Sequence, residues 1–321
     1  MNERIDFTNC PKIYKAYNGA NGKKIAVEYQ NEVYMIKFPP SGKMKPTELS
    51  YTNSCISEYI SCHIFNMLGM KAQDTLLGIY RIGEKEKVVC ACKDFTIKGK
   101  MLYDFCSIKN TVLDSETNGT GTELEDVIDT IEKQGYVDAG KLKKHFWNMF
   151  IIDALLGNFD RHNGNWGFLQ DIATQTVEIA PVYDCGSCLL PQADETVMKN
   201  VMESQEWLQA RIFQFPSSAI RLNGKKIRYY DFLMDAQIPY ECRCALRQIV
   251  PKINLSKIDK LIDDIPYISE VQKNFYQYYI SERYHQILVP AWQRLTALAQ
   301  VRKTNNMEKE KEQEEEKEIE R

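Results

Sequence analysis

The stretch Leu156-Gly-Asn-Phe-Asp-Arg-His-Asn-Gly-Asn-Trp-Gly-Phe-Leu169 sets a cluster of polar side chains directly behind a long apolar segment. Asp160 and Asn165 stand five apart, flanked by Arg161 and His162. Gly157, Gly164 and Gly167 permit a tight turn in which both side chains face one pocket. A second short apolar run, Ile179-Ala-Pro-Val-Tyr-Asp184, reads as a strand that delivers another carboxylate at its end. A carboxylate and an amide oxygen five apart, followed by a carboxylate after a strand, suit one Mg²⁺, which takes few protein oxygens and fills its shell from phosphate and water. Phosphoryl transfer needs these parts, because its catalysis is mostly positioning and charge neutralisation. Asp160 is expected to orient the attacking hydroxyl and take its proton, and Asn165 and Asp184 to hold the metal. The competing reading makes Asp160-Arg161 a turn with a surface ion pair and Asn163-Gly164 a bare turn signal. The joint pattern favours the chemistry.

Asn-x-Asp-Arg-His-x-x-Asn at 158–165, followed by Ala-Pro-x-Tyr-Asp at 180–184, resembles the signature of the HipA-like serine/threonine kinases. The resemblance implies an α+β, bilobal, protein-kinase-like fold with a β-rich N-lobe and a mostly helical C-lobe. It also implies ATP and Mg²⁺ as cofactors, a protein substrate with a Ser or Thr acceptor, and self-phosphorylation. Asp160 is then the catalytic residue, Asn165 and Asp184 the metal ligands, and His162, Asn165, Tyr183 and Asp184 nucleotide contacts. Phosphoinositide kinases carry a similar Asp-Arg-His-x-x-Asn loop, so a lipid or small-molecule kinase stays open, as does a catalytically inactive binding module. Retention of Lys37, Asp160, Asn165 and Asp184 argues against the last.

Upstream, 23–29 and 32–38 are strand-like runs joined at Gln30-Asn31, a predicted hairpin. Ahead of it, Gly19, Ala20, Asn21, Gly22 and Lys23 form a short glycine loop able to bring backbone N–H groups near phosphate. The family's loop serine falls on Ala16 here, which puts regulation through that hydroxyl in question. Lys37, near the end of an apolar strand, is expected on the α- and β-phosphates. Residues 48–68 have helical spacing (Ile56, Ile60, Ile64, Leu68) and end at Gly69, and Glu58 on the flank of that stripe can reach back to Lys37. Strands are expected at 75–82 and 87–92, running into Cys92-Lys93-Asp94-Phe95 as the hinge that recognises adenine. Helices are expected at 122–133, 138–156, 239–250, 255–264 and 270–303, with a hairpin around Asn223-Gly224. The resulting division is 1–95 for the first lobe, 96–303 for the second and 304–321 for a charged tail.

The 321 residues suffice for two lobes and a sizeable core. Net charge is −3, but residues 308–321 hold eight Glu against three Lys and one Arg, so the body is near neutral and no nucleic-acid-binding surface is expected. No apolar run approaches membrane-spanning length and the start lacks a signal-peptide core, so the cytoplasm of the producing cell is the expected compartment. Ten scattered cysteines, with Cys185-x-x-Cys188 the only C-x-x-C, read as buried free thiols. The tail has almost no apolar residue with which to offset the entropy of ordering and is expected to be dispensable for catalysis.

Overall fold

A computed structural model describes residues 4–17, 23–40, 51–97, 99–113 and 118–297. The loop residues Gly19, Ala20, Asn21 and Gly22, the start of the predicted helix at 48–50, and the tail lie outside the described residues.

The N-terminal part is one antiparallel sheet of β1 (Lys12–Ile13), β2 (Lys24–Tyr29), β3 (Glu32–Lys37), β4 (Thr75–Ile82) and β5 (Lys85–Lys93), in the order β1-β2-β3-β5-β4. The turn between β2 and β3 has φ of 50° at Gln30 and 62° at Asn31, the two positive values a two-residue primed turn demands. That turn fixes the register, so Tyr29 faces Glu32 and, at the far end, Lys24 faces Lys37. Alternation then sorts the sheet into two faces. Ile36, Val89 and Ala91 pack with Phe7, Phe38 and Tyr80 on one side. Cys90 and Cys92 pack on the other side in the main core with α1 (Ser54–Met67). The apolar stripe of α1 is buried as its spacing predicts, and Gly69 follows it at φ +80°, where its N–H caps the Asn66 carbonyl.

Beyond β5 the chain is mostly helical. Two elements had no clear sequence signal: β6 (Lys100–Asp104), and α2 (Phe105–Val112), whose N-cap Asp104 accepts from the Ser107 N–H. β6 pairs with β7 (Gly167–Asp171), and β7 with β8 (Val177–Ile179), in a small antiparallel sheet beneath the site. The helices α3 (Leu124–Lys133) and α4 (Ala139–Leu156) follow expectation. Asp138 caps α4 by accepting from the Lys141 N–H, and Gly157 ends it in the left-handed region at φ +64°. With Phe146, Trp147, Phe150, Ile151 and Leu155 all buried, α4 is the axis of the core.

The remaining elements are α5 (Glu195–Glu203), α6 (Gln205–Gln209), the hairpin β9 (Arg221–Leu222) and β10 (Lys225–Lys226), α7 (Tyr229–Met234), α8 (Tyr240–Ile249), α9 (Leu255–Asp263) and α10 (Glu270–Arg283). The predicted helix at 270–303 is interrupted by a π-helical turn at Tyr284–Leu288 before it resumes to residue 297. The hairpin turn at Asn223 (φ 52°) and Gly224 (φ 75°) falls where expected. All ten cysteines are free thiols and seven are buried. No helix of the described residues is long and apolar enough to cross a membrane.

Candidate active site

A cleft of about 1000 Å³ lies between the N-terminal sheet and the helical part, and Lys37, Glu58, Asp160, Asn165, Tyr183 and Asp184 all line it. Residues from four separate stretches of chain therefore converge on one cavity.

The catalytic loop is built from buried hydrogen bonds that originate on α4. Asp153, 1% exposed, accepts from Asn158 Nδ2 at 2.8 Å and from Arg161 Nε at 3.0 Å. Asn158 in turn accepts from the Asp160 N–H at 3.0 Å. The Arg161 guanidinium reaches further, donating to the carbonyls of Asn165 (2.8 Å) and Tyr183 (2.5 Å) and to Cys185 Sγ (3.2 Å). Arg161 thus ties the loop to the segment that carries Asp184. The surface-ion-pair reading of Asp160-Arg161 is incorrect, because Arg161 is 3% exposed and its partner is Asp153. The sequence reading missed Asp153 as the anchor, and its signal was a lone carboxylate within an apolar helix.

The three loop glycines serve different needs. Gly157 takes the left-handed cap, and a Cβ there would stand 2.8 Å from the Pro216 ring. Gly167 lets β7 approach β6 so closely that a Cβ would lie 2.1 Å from the Tyr103 carbonyl oxygen. Gly164 sits in a 3₁₀ turn at Asn163–Asn165 and donates its N–H to His162 Nδ1 at 3.0 Å. Asn165 donates Nδ2 to the Asp160 carbonyl at 2.9 Å, which fixes the amide and turns Oδ1 away from that bond. Asn163 donates to the carbonyls of Gly119 and Gly121, fastening the loop to the segment before α3.

Asp184 does not arrive directly from a strand. β8 stops at Ile179, Val182 bridges Ala72, and Asp184 is turned into the cleft at φ +56°. Its Oδ1 accepts from Lys37 Nζ at 2.9 Å, and Lys37 also pairs with Glu58 Oε2 at 3.0 Å. The second contact is an ion pair without hydrogen-bond alignment, and neither Glu58 oxygen has a well-directed donor. Lys37 holds the Asp184 carboxyl at about 2, well below the usual range, against the opposing effect of burial. Although enclosed by surrounding protein, the Asp184 side chain keeps 47% exposure to the cleft, so it remains open to a ligand. Burial works against the Lys37 charge, but Asp184 and Glu58 outweigh it and raise the ammonium well above its ordinary value. Burial also raises Glu58, with Lys37 acting in the opposite sense. Asp160 is raised by burial, His162 opposing this and Asp184 adding to it, a direction that suits a proton acceptor.

Other predicted positions fall nearer the rim. Asp94 is a structural clamp whose carboxylate accepts from Lys15 Nζ, Tyr17 Oη and the N–H and hydroxyl of Thr96. Phe95 lines the cleft with its ring 6.0 Å from that of Tyr183, and the Tyr183 hydroxyl donates to the Gly164 carbonyl. Lys93 stands apart from the cleft. Its ammonium pairs with Glu32, and its N–H and that of Asp94 are taken by the carbonyls of Asp74 and Val33. Lys23 is likewise directed elsewhere, over the Phe38 ring at 5.4 Å, and the neighbouring Lys24 lines the cleft instead. His162 is exposed, with Nε2 3.9 Å from Asp160 Oδ1.

Asn165 and Asp184 fit a Mg²⁺ ion of the kind that takes most of its oxygens from phosphate and water. Both open to the same cleft, and the Asp184 carboxylate is held ionised there. No cluster of three or more His, Cys, Asp or Glu side chains suited to a metal occurs among the described residues.

A model of the HipA-like C-terminal domain matches residues 16–237. The chain is 48% identical over 302 residues, 92% of its own length and 90% of the relative's, to the serine/threonine-protein kinase CtkA of Helicobacter pylori. The crystal structure of a Helicobacter pylori proinflammatory kinase CtkA superimposes with a TM-score of 0.86 at 47% identity, covering 92% of this chain and 99% of that one. Shewanella oneidensis HipA, solved with HipB and operator DNA, gives a TM-score of 0.46 at 19% identity, over 91% of this chain and 68% of that one. Fold, cleft and the two Helicobacter matches together define a phosphotransferase of the kinase type. Within that class, the chain belongs to the HipA-like family.

Proposed function

We propose that the protein is an ATP- and Mg²⁺-dependent serine/threonine protein kinase that also phosphorylates itself. The observation that carries this reading is Lys37 Nζ, held between Glu58 and Asp184 at 3.0 and 2.9 Å in a cleft that also presents Asp160 and Asn165. A lysine fixed between two carboxylates of different elements is aimed before the nucleotide arrives, so binding does not pay for ordering it. Mg²⁺ on the phosphates supplies charge neutralisation as the transferred group moves. Asp160 accepts the proton of the acceptor hydroxyl, and its position is set through Asn158 and Asp153. Asn165 and Asp184 hold the metal, and Arg161 keeps their two segments in register. The name of the Helicobacter relative supports Ser or Thr as the acceptor. In this reading the first lobe, the second lobe and the tail divide at 95/96 and 303/304.

Lys37→Ala is expected to weaken ATP binding by about 1–3 kcal/mol, the range for hydrogen bonds to charged groups, and to lower the transfer rate. Calorimetry with the nucleotide and single-turnover kinetics measure both, and unchanged values would remove Lys37 from the phosphate site. Incubation with labelled ATP and Mg²⁺, followed by mass spectrometry, is expected to find phosphate on Ser or Thr of the protein itself or of an added acceptor. The site cannot be position 16, which is Ala. Label found only on an inositol lipid or a small molecule would replace the protein-kinase reading.

A further inference from the structure

The segment Phe215–Tyr229 is seated against the first residues of the catalytic loop at both of its ends. At one end Pro216 packs on Gly157, and the Phe215 ring lies 5.3 Å from that of Phe159. At the other, the buried Tyr229 donates its hydroxyl to the Asn158 carbonyl at 2.6 Å. Between them, Ser218 and Ile227 close the base of the β9–β10 hairpin through a backbone bond, with Ile220 and Ile227 buried. Thr122 accepts the Arg221 N–H on its carbonyl and donates its hydroxyl to the Ala219 carbonyl. The segment is therefore fixed against the catalytic loop at Gly157, Asn158 and Phe159, and its hairpin is basic.

Arg221, Lys225, Lys226 and Arg228 are all exposed on it. Two of the four are engaged: Arg221 donates to the Gly224 carbonyl and Arg228 pairs with Asp231 at 3.6 Å. The Glu123 carboxylate accepts from the Gly224 N–H at the turn. Lys225 and Lys226 have no carboxylate partner among the described residues. Alongside runs a row of rings, Tyr51 to Phe159 at 6.1 Å and Phe159 to Phe215 at 5.3 Å, with Phe215 38% exposed. Two ammonium groups without a carboxylate partner, on a hairpin whose flanking residues seat an exposed ring against the catalytic loop, match a peptide with acidic residues around its hydroxyl and an apolar side chain nearby.

We propose that the β9–β10 hairpin and the Phe159–Phe215 ring pair form the acceptor-binding surface, and that it selects Ser or Thr within an acidic peptide segment. Lys225 and Lys226 meet the peptide's carboxylates, and Phe215 receives its apolar residue. This rests on the protein-kinase reading above and names the substrate class for the same site.

The test uses three peptides that share one Ser/Thr acceptor and one flanking aromatic residue and differ only in acidic, neutral or basic flanks. Each is assayed with the full-length protein, labelled ATP and Mg²⁺, and self-phosphorylation is followed in the same tubes. The acidic peptide is expected to exceed the basic one by about tenfold or more in kcat/KM at low salt, mainly through KM. Raising salt towards 1 M, where the screening length falls to about 3 Å, should abolish that preference. Lys225→Glu with Lys226→Glu should reverse it, and Lys225→Gln with Lys226→Gln should erase it. Equal use of all three peptides by the unaltered protein, or a preference that persists in the Gln variant, overturns the proposal while leaving the kinase reading intact. Transfer to no peptide and none to the protein itself overturns both.

Discussion

Asp160→Asn is expected to lower phosphoryl transfer by about 10²–10⁴-fold, the range for loss of a positioned general base, while leaving ATP affinity nearly unchanged. The asymmetry follows from geometry. The loop is held by Asn158, Arg161 and the Asp160 backbone, which donates its N–H to Asn158 and accepts from Asn165 on its carbonyl, and none of these bonds uses the Asp160 carboxylate. Asparagine therefore fits the same loop and removes only the proposed proton acceptor. Asp184→Asn is expected to be equally inactive but to differ in binding. It removes one of the two carboxylates on Lys37 and a proposed ligand of the metal, so affinity for the nucleotide should change together with rate. Single-turnover transfer of labelled phosphate, paired with nucleotide binding by calorimetry, separates the two. Near-normal turnover in Asp160→Asn would remove its assignment as base, and unaltered binding and turnover in Asp184→Asn would remove the metal site.

Much of this site was legible because its parts are local. Asp160 and Asn165 sit in one turn, and the hairpin that carries Lys37 announces itself through Gln30-Asn31. The same turn also specified something the sequence reading passed over. With a two-residue loop at 30–31, Lys24 must face Lys37 and share its side of the sheet, so Lys24 rather than Lys23 enters the cleft. The hinge reading of Lys93 came from proximity in sequence, and strand pairing overrode it by taking two of the backbone amides and turning the ammonium to Glu32. β6 was hard to see because its five residues alternate between exposed and half-buried and supply no fully buried face. α2 depends on tertiary contacts, chiefly Phe105 stacked on Trp166 at 3.9 Å, which lies far away in sequence. α5 and α6 are short, and burial of Met198, Val201 and Leu208 against other helices does more for them than propensity.

Least legible of all was Arg161, whose loss is expected to be the most destabilising single change in the catalytic loop. Arg161→Ala leaves Asp153 buried without its cation, with Asn158 its remaining hydrogen-bond partner, and strips donors from the carbonyls of Asn165 and Tyr183. Burial already pushes the Asp153 carboxyl up against the opposing pull of Arg161, so the carboxylate depends on that neighbour to stay charged. Breaking one side of a buried pair costs about 3–5 kcal/mol, well above the cost of losing an exposed pair. Urea unfolding of Asp153→Asn, of Arg161→Met and of the two together closes a double-mutant cycle, with Arg161→Ala measured beside it. The double variant should recover part of the stability lost in Arg161→Ala, because no buried charge is then left alone. It should not recover transfer activity, because methionine cannot hold the Asn165 and Tyr183 carbonyls together, and those carbonyls set where the two proposed metal ligands stand. Recovery of both stability and activity would show that Arg161 only balances charge. A loss below about 1 kcal/mol in Arg161→Ala would place the guanidinium in water, in the range of exposed pairs, and would dissolve the link between the catalytic loop and Asp184.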